Sequence, residues 1–269
     1  MVFSKWREAL GGNIKFLVSG SAPLQPALIR IFTAAGIPVF EGYGMTETSP
    51  GISINDFRNG GFKIGTVGRI LDDMEVKIAE DGEILVKGSN VMMGYYKNDE
   101  LTNETIVNGF LHTGDIGELD ADGFLKITDR KKEMFKTSGG KYIAPSAIEG
   151  LLKESRFIEQ AMVIGEGEKM PAVIIQPHFE FLLAWAIRKK IEFDGSNEAI
   201  IQHKKVLKRI QKEIDFVNEK LGKWEQIKAF ELTPEIWSIE NNLLTPTLKM
   251  KRKIILQNYE HLYAKIYKN

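Results

Sequence analysis

The rhythm of apolar and polar positions changes twice along the chain. Residues 6–10 read as a short helix that Gly11-Gly12 breaks, and residues 14–18 as a short buried strand. A loop at 19–23 leads to a helix over about 25–35 and a second strand over 37–40. Strand, helix, strand is the order of a parallel unit. From Gly65 to Asp129 the pattern becomes short strands with tight turns: 74–78, the Asp81-Gly82 turn, 84–86, then 116–119, the Asp122-Gly123 turn and 124–127. An Asp-Gly pair between alternating segments predicts hairpins, here of a small barrel or twisted sheet. Beyond Arg130 come a helix at 146–154, strands at 161–164 and 172–176, and long helical patterns at 180–190 and 197–221. The expected architecture is α/β followed by a smaller α+β domain, divided as 1–129 and 130–269.

Glycine usage sharpens this division, because 21 of the 25 glycines lie at or before Gly150. Charge does too. Residues 1–200 carry 22 basic and 28 acidic side chains and residues 201–269 carry 14 and 8, so a zero net charge conceals a −6 part and a +6 part. A solvated helical face accounts for such a basic end, and the excess is too small and too motif-free to predict nucleic-acid binding. With 43% hydrophobic residues, the 269-residue chain can bury a sizeable core. No apolar run approaches the ~18 residues of a membrane span. No signal peptide is visible after Met1, so a cytoplasmic location is expected. The absence of Cys excludes disulfides, thiolate metal sites and a thiol nucleophile. His112, His178, His203 and His261 lack metal-ligand spacing and have no evident partners, and no Gly-x-Ser-x-Gly elbow supports a hydrolase.

Four segments carry candidate chemistry. Glu41-Gly42-Tyr43-Gly44-Met45-Thr46-Glu47-Thr48 follows a parallel strand, where ligands of open α/β sheets collect. Its glycines admit close backbone approach, the Tyr43 ring can stack on a base, Thr46 offers a hydroxyl and Glu47 a hard oxygen for Mg²⁺; an ordinary polar loop would read the same. In Leu111-His112-Thr113-Gly114-Asp115, the carboxylate can accept from two vicinal hydroxyls at once, although Asp after Gly is more often a turn residue. In the run from Ile127 to Lys141, Arg130 could read a ribose or phosphate, and the charged connector suits either a hinge or a surface linker. Leu244-Thr245-Pro246-Thr247-Leu248-Lys249-Met250-Lys251-Arg252-Lys253 opens a last helix with positive charge, against the dipole preference. One of its lysines could offset developing anionic charge.

Taken in this order, the four segments resemble the adenylate-forming superfamily of acyl-CoA synthetases, in particular its long-chain fatty-acid–CoA ligase branch. The Lys-Thr-Ser-Gly-Gly-Lys-Tyr-Ile-Ala-Pro run, the helical insertion around 180–221 and the Leu-Thr-Pro-Thr-Leu-Lys ending are similar to that branch. The resemblance places Gly20, Ser21, Ala22 and Pro23 beside the adenine, and Glu41, Gly42, Tyr43 and Gly44 along the nucleotide and acyl pocket. It implies that Thr46 and Glu47 meet the phosphates and Mg²⁺, and that Asp115 binds the ribose, with Arg130 beside it and Ile127 packing nearby. Lys132 would be the hinge of a mobile small domain. Gly139, Gly140 and Lys141 would form the loop facing the CoA arm. Lys249, three residues before Arg252, would be the catalytic lysine, by that spacing in preference to Lys251.

The implied chemistry is ATP-dependent formation of a fatty acyl-AMP and pyrophosphate, followed by thioester formation with CoA, using Mg²⁺. Members of the family also carry an amino-terminal phosphate loop ending in Lys, and nothing here matches it; Gly139-Gly140-Lys141 lacks both its spacing and its hydroxyl. The chain therefore reads as a carboxy-terminal portion of the large domain plus the small one, expected to be inactive alone and able to self-associate through uncovered apolar surface. Its partners would be fatty acid, ATP and CoA, not nucleic acid, with peripheral membrane contact an open option for such substrates. A non-catalytic AMP-binding or partner-docking module is the alternative.

Overall fold

The computed structural model describes residues 2–268. They form two compact units, Met1–Lys132 and Glu133–Asn269, so the division falls three residues beyond the expected 129/130 boundary.

In the first unit, α1 (Val2–Ala9) precedes β1 (Leu17–Ser19), α2 (Pro26–Ala34) and β2 (Val39–Tyr43), and β1 and β2 pair in parallel. Pro26 opens α2 without loss, since the first turn leaves its N–H unpaired anyway. Ile29 of α2, Ile37, and Val39 and Phe40 of β2 are buried. The expected buried strand at 14–18 is displaced: β1 begins at Leu17, and Ile14, Phe16 and Val18 are exposed. The second strand runs on through Tyr43, so Glu41, Gly42 and Tyr43 are strand residues rather than loop.

β3 (Ser53–Ile54) and β4 (Arg69–Ile70) extend this sheet in antiparallel fashion to the order β1-β2-β3-β4. A second, five-stranded antiparallel sheet follows. It comprises β5 (Met74–Ile78), β6 (Glu83–Gly88), β7 (Ile106–Val107) with α3 (Asp99–Thr105) before it, β8 (Phe110–Leu119) and β9 (Leu125–Arg130). Ile52, Ile84, Val86, Leu111 and Leu125 form its core. The two Asp-Gly turns fall where expected, but 116–119 is only the end of the ten-residue β8.

In the second unit, the hairpin of β10 (Phe135–Lys136) and β11 (Tyr142–Ile143) leads into α4 (Pro145–Leu152). A three-stranded sheet follows, in which β12 (Ile158–Ile164) pairs antiparallel with β13 (Ala172–Pro177), and β13 pairs in parallel with β14 (Ala229–Leu232). Alternate residues of a strand point to opposite faces. Ala161, Val163, Val173 and Ile175 accordingly pack into the core formed with α4, α5 (Phe179–Arg188), α6 (Asn197–Gln202) and α7 (Lys204–Asn218). Met162, Ile164, Ala172 and Ile174 pack on the other face with Trp237, α8 (Arg252–Asn258) and α9 (Glu260–Tyr267). The single helix expected over 197–221 is two. His203 adopts an extended backbone, and its side chain caps α7 by accepting from the Lys205 N–H. Among the described residues, no helix is long and apolar enough to cross a membrane.

One buried ion pair ties these layers together. Arg252, at the start of α8, pairs with Glu149 of α4 and lies 3.5 Å from Glu133, and it donates to the Val163 carbonyl. Glu149 also accepts the Val163 N–H at 2.8 Å. Burial pushes the Glu149 carboxyl up to about 7 against the pull of Arg252. Removing one partner of a buried pair strands the other, so Arg252→Leu should cost ~3–5 kcal/mol in urea unfolding. Adding Glu149→Gln, which retains an acceptor for Val163, should recover more than half of that loss. Because the folded-state value lies above the ordinary 4.5, this carboxyl's contribution to stability is complete below that pH and declines as pH rises toward and past 7. Glu149→Gln alone should abolish that part of the pH dependence.

Candidate functional site

The site in the first unit is built by strand register. β8 and β9 are joined by a turn closed by Asp120 N–H to Phe124 O at 3.0 Å, and their pairing runs Leu119↔Leu125, Glu118↔Lys126, Gly117↔Ile127. A bulge then takes up Thr128, and the pairing resumes as Ile116↔Asp129 and Asp115↔Arg130. Without that extra residue Asp115 would face Asp129; with it, Asp115 faces Arg130. The Arg130 Nε lies 3.0 Å from Asp115 Oδ1, and Tyr43 donates its hydroxyl to Asp115 Oδ2 at 2.7 Å. Burial, reinforced by the adjacent Asp115 charge, pushes the Tyr43 phenol well above its ordinary range, which keeps it a donor. The carboxylate is buried, whereas the Arg130 side chain is largely exposed. Ile127 packs at the edge of the core cluster behind the pair.

Glu41 has a partner on the loop after β1. Its buried carboxylate accepts the Leu24 N–H at 3.2 Å and so ties the exposed Gly20, Ser21, Ala22 and Pro23 loop to β2; burial raises its pKa, partly offset by that bond. Gly44 also has a reason other than ligand approach, because a Cβ there would sit 1.5 Å from the Pro50 carbonyl oxygen. The space is filled by the chain itself. Gly42 pairs with Ile54 in β3, and a Cβ there would meet only ordinary contacts.

Thr46 and Glu47 occupy a single 3-10 turn, closed by Thr48, whose hydroxyl accepts the Met45 N–H at 3.1 Å. Thr46 is exposed, and Glu47 Oε1 accepts from the Tyr95 hydroxyl at 3.0 Å. Among the described residues, no group of three or more His, Asp or Glu side chains could enclose a metal ion. Glu47 fits instead the mode of Mg²⁺, which takes one or two carboxylates and completes its shell with substrate phosphates and water.

The remaining candidates lie in the second unit, apart from Lys132, the last residue of the first. Gly139 and Gly140 form the tip of the β10–β11 hairpin, closed by Thr137 N–H to Lys141 O at 3.0 Å. Gly140 has φ +74° and nothing within 4 Å of where a Cβ would be, so the tip is open. The Lys141 Nζ lies 5.7 Å from the centre of the exposed Trp224 ring. Lys249 sits on a tight loop between the bridged Leu244 and Met250, its N–H donated to Thr245 Oγ1 at 3.0 Å and its side chain exposed. Among the described residues its ammonium makes no hydrogen bond or ion pair. Lys251, by contrast, donates to Asn242 Oδ1 and leads into α8. The adverse positive charge at that helix start is offset at Arg252 by Glu149 and Glu133, while Lys251 has a neutral acceptor in Asn242.

The histidines have partners that the sequence did not reveal. His112 Nδ1 lies 3.0 Å from Glu83, and His178 caps α5 by accepting the Phe181 N–H while lying 3.5 Å from Glu159. The ring of His261 lies against that of Tyr259. Sequence reading also passed over Glu83 and Tyr95. By alternation Glu83 shares a face with Leu85 and Lys87, opposite the core residues Ile84 and Val86, so the sequence pattern marks it as an outward charge.

Residues 3–96 match the family described as AMP-binding enzyme, and residues 133–269 match the AMP-binding enzyme C-terminal domain. The chain is 36% identical over 267 residues to long-chain-fatty-acid–CoA ligase FadD15 of Mycobacterium bovis, covering 99% of this chain and 44% of the relative. It is 38% identical over 285 residues to long-chain-fatty-acid–CoA ligase 5 of Rattus norvegicus, covering 100% of this chain and 41% of the relative. It therefore spans less than half the length of these curated relatives. Among solved structures, the adenylation domain of a carboxylate reductase from Mycobacterium chelonae shares the fold with a TM-score of 0.76 at 21% identity, over 99% of this chain and 40% of that one. The o-succinylbenzoate coenzyme A synthetase of Bacillus subtilis, in complex with AMP, matches with a TM-score of 0.68 at 25% identity, over 93% and 48%. With both of its units matched, the second over its whole length, this chain belongs to the AMP-binding enzymes.

Proposed function

We propose that this chain carries the ribose-binding, CoA-facing and lysine-bearing parts of a long-chain acyl-CoA synthetase, which activates a fatty acid as acyl-AMP and transfers the acyl group to CoA. The observation that supports this most is the buried Asp115 carboxylate, fixed between Tyr43 and Arg130, in a chain whose relatives are named long-chain-fatty-acid–CoA ligases. In this reading Asp115 accepts the two ribose hydroxyls, and Thr46 holds a phosphate oxygen. Glu47, oriented by Tyr95, holds Mg²⁺, which when bound offsets phosphate charge. The carboxylate oxygen of the fatty acid attacks the α-phosphorus, and the bond to pyrophosphate breaks. Lys249 suits this step, since an ammonium with no hydrogen bond or ion pair among the described residues is available to the charge that accumulates there. Lys132 then serves as the hinge that exchanges Lys249 for the open Gly139-Gly140 tip, where a thiol-bearing arm has room and the CoA sulfur displaces AMP.

AMP binding tests the ribose assignment. By calorimetry, Asp115→Asn should weaken AMP about tenfold or more, the size expected when a charged acceptor loses its charge. Unchanged affinity would remove the basis of the reading, and AMP affinity with no effect of Lys249 in any turnover assay would favour a binding module.

Turnover tests the rest. The 269-residue chain with ATP, CoA and palmitate should give little or no palmitoyl-CoA, because no residue run in it matches a phosphate loop. Robust turnover would refute this. Joined behind the preceding half of the FadD15 relative, the chain should turn over, and Lys249→Met should then lower kcat by about 10²–10³ while Lys251→Met costs far less.

Exposed Phe16, just before β1, and Val18 on it, with Leu28 and Ile31 on α2, are proposed to drive self-association. Light scattering should report oligomers that Val18→Lys shifts toward monomer.

A further inference from the structure

Glu83 opens β6 with its carboxylate almost fully buried, and nothing in the reaction outlined above uses it. Its surroundings are unusual in how much they converge. Opposite it, β8 bulges: Glu83 pairs with Ile116 but Leu85 pairs with His112, so Thr113, Gly114 and Asp115 face the single residue Ile84. A bulge leaves backbone groups without ladder partners. Here they are recovered one by one. Thr113 donates its hydroxyl to Ile84 O at 2.7 Å, Asp115 donates its N–H to Thr113 Oγ1 at 3.1 Å, and Gly114, at φ +71°, donates its N–H to Glu83 Oε1 at 2.9 Å.

The second oxygen of Glu83 reaches two cations or donors: Lys131 Nζ at 2.9 Å and His112 Nδ1 at 3.0 Å. Lys131 is held again by Asp81 at 2.6 Å, and its backbone N–H donates to Gly114 O at 2.8 Å. Burial pushes the Glu83 carboxyl up, but Lys131, His112 and the Gly114 N–H together bring it below its ordinary value, so it is an anion at neutral pH. One anion thus grips the residue before Asp115 and the residue before Lys132.

We propose that Glu83 is a positioning residue for the nucleotide site: it locks the β8 bulge so that Asp115 stays opposite Arg130, and it anchors Lys131 so that free rotation of the chain begins at Lys132. The inference rests on the reading of Asp115 as the ribose acceptor and of Lys132 as the hinge, but its mechanical part does not. Glu83→Gln keeps the size and an acceptor oxygen while deleting the charge that holds Lys131. A carboxylate that merely supported the fold would affect AMP independently of Asp115. One that acts through Asp115 would couple to it, since residues working through each other are non-additive.

The test uses the full chain in two assays. Amide exchange without ligand should show the Gly114 and Lys131 amides exchanging at least about tenfold faster in Glu83→Gln, with those of β12 and β13 unchanged. In AMP calorimetry, Glu83→Gln should weaken binding about tenfold, and the Glu83→Gln/Asp115→Asn pair should lose clearly less than the product of the two single losses. Unchanged exchange at Gly114 and Lys131, unchanged AMP affinity, or strictly multiplicative losses would each overturn the proposal. If the parent chain binds no AMP, the functional reading fails while the exchange arm still decides the mechanical claim. Should Glu83→Gln not fold, Lys131→Met carries the test: its amides at 131 and 132 should exchange faster, and protection equal to the parent's would overturn the anchor.

Discussion

The pairing of Asp115 with Arg130 depends on one inserted residue, Thr128. An antiparallel hairpin has a fixed pairing sum, and a shift of one position turns every side chain to the other face. Up to Gly117↔Ile127 the β8–β9 ladder keeps the register that its turn dictates, which would set Asp115 against Asp129 and bury two carboxylates side by side. The Thr128 bulge, whose hydroxyl donates to Ile116 O at 3.2 Å, converts that clash into an ion pair with Arg130. The three-residue bulge on the other side of β8, secured by Glu83, then frees the Gly114–Asp115 backbone from the ladder. Bulges re-aim side chains near functional sites. Here two of them, on opposite edges of one strand, re-aim the same carboxylate.

The second unit solves a complementary problem, presenting a charge rather than burying one. A lysine meant to meet an anionic ligand has to stay solvated and unpaired, yet a long side chain on a mobile loop loses much of its value to entropy. The Lys249 loop is short, bridged at Leu244 and Met250 and bonded through Thr245. Just beyond it α8 is bolted to α4 by Arg252 and Glu149. On the preceding side, Trp237 donates its N–H to Gln176 of β13 and its indole to Tyr259, which in turn donates to Glu235. The cation is exposed, while its supports on both sides are buried.

What the sequence made legible follows from which signals are local. The Asp-Gly turns, the buried Ala172–Ile175 run of β13 and the periodicity of α5 are decided by neighbours a few residues away, and they were read close to their true positions. β14 was not found, because Ala229–Leu232 is four residues with a Glu in the middle and becomes a strand only by pairing with β13. The break at His203 was missed for a related reason: the apolar stripe runs through both α6 and α7, and a histidine that caps a helix looks like one inside it. Tyr43 was read as a stacking ring, but its hydroxyl partner lies 72 residues away. Glu83 stands out only once three segments, 81–83, 112–114 and 131, come together around it.

The occupancy of Asp115 bears on how it could receive a ligand. Both of its oxygens already have partners, Oδ1 the Arg130 guanidinium and Oδ2 the Tyr43 hydroxyl. A carboxylate, however, offers about four acceptor positions. Two donors fix its plane and leave roughly one further position on each oxygen, the number and spacing that a vicinal diol requires. Breaking neither existing bond, such a ligand would add charge-assisted hydrogen bonds to a group whose desolvation has already been offset by Arg130 and Tyr43. The same pair of contacts therefore both holds Asp115 in its buried position and leaves an acceptor position open on each of its oxygens.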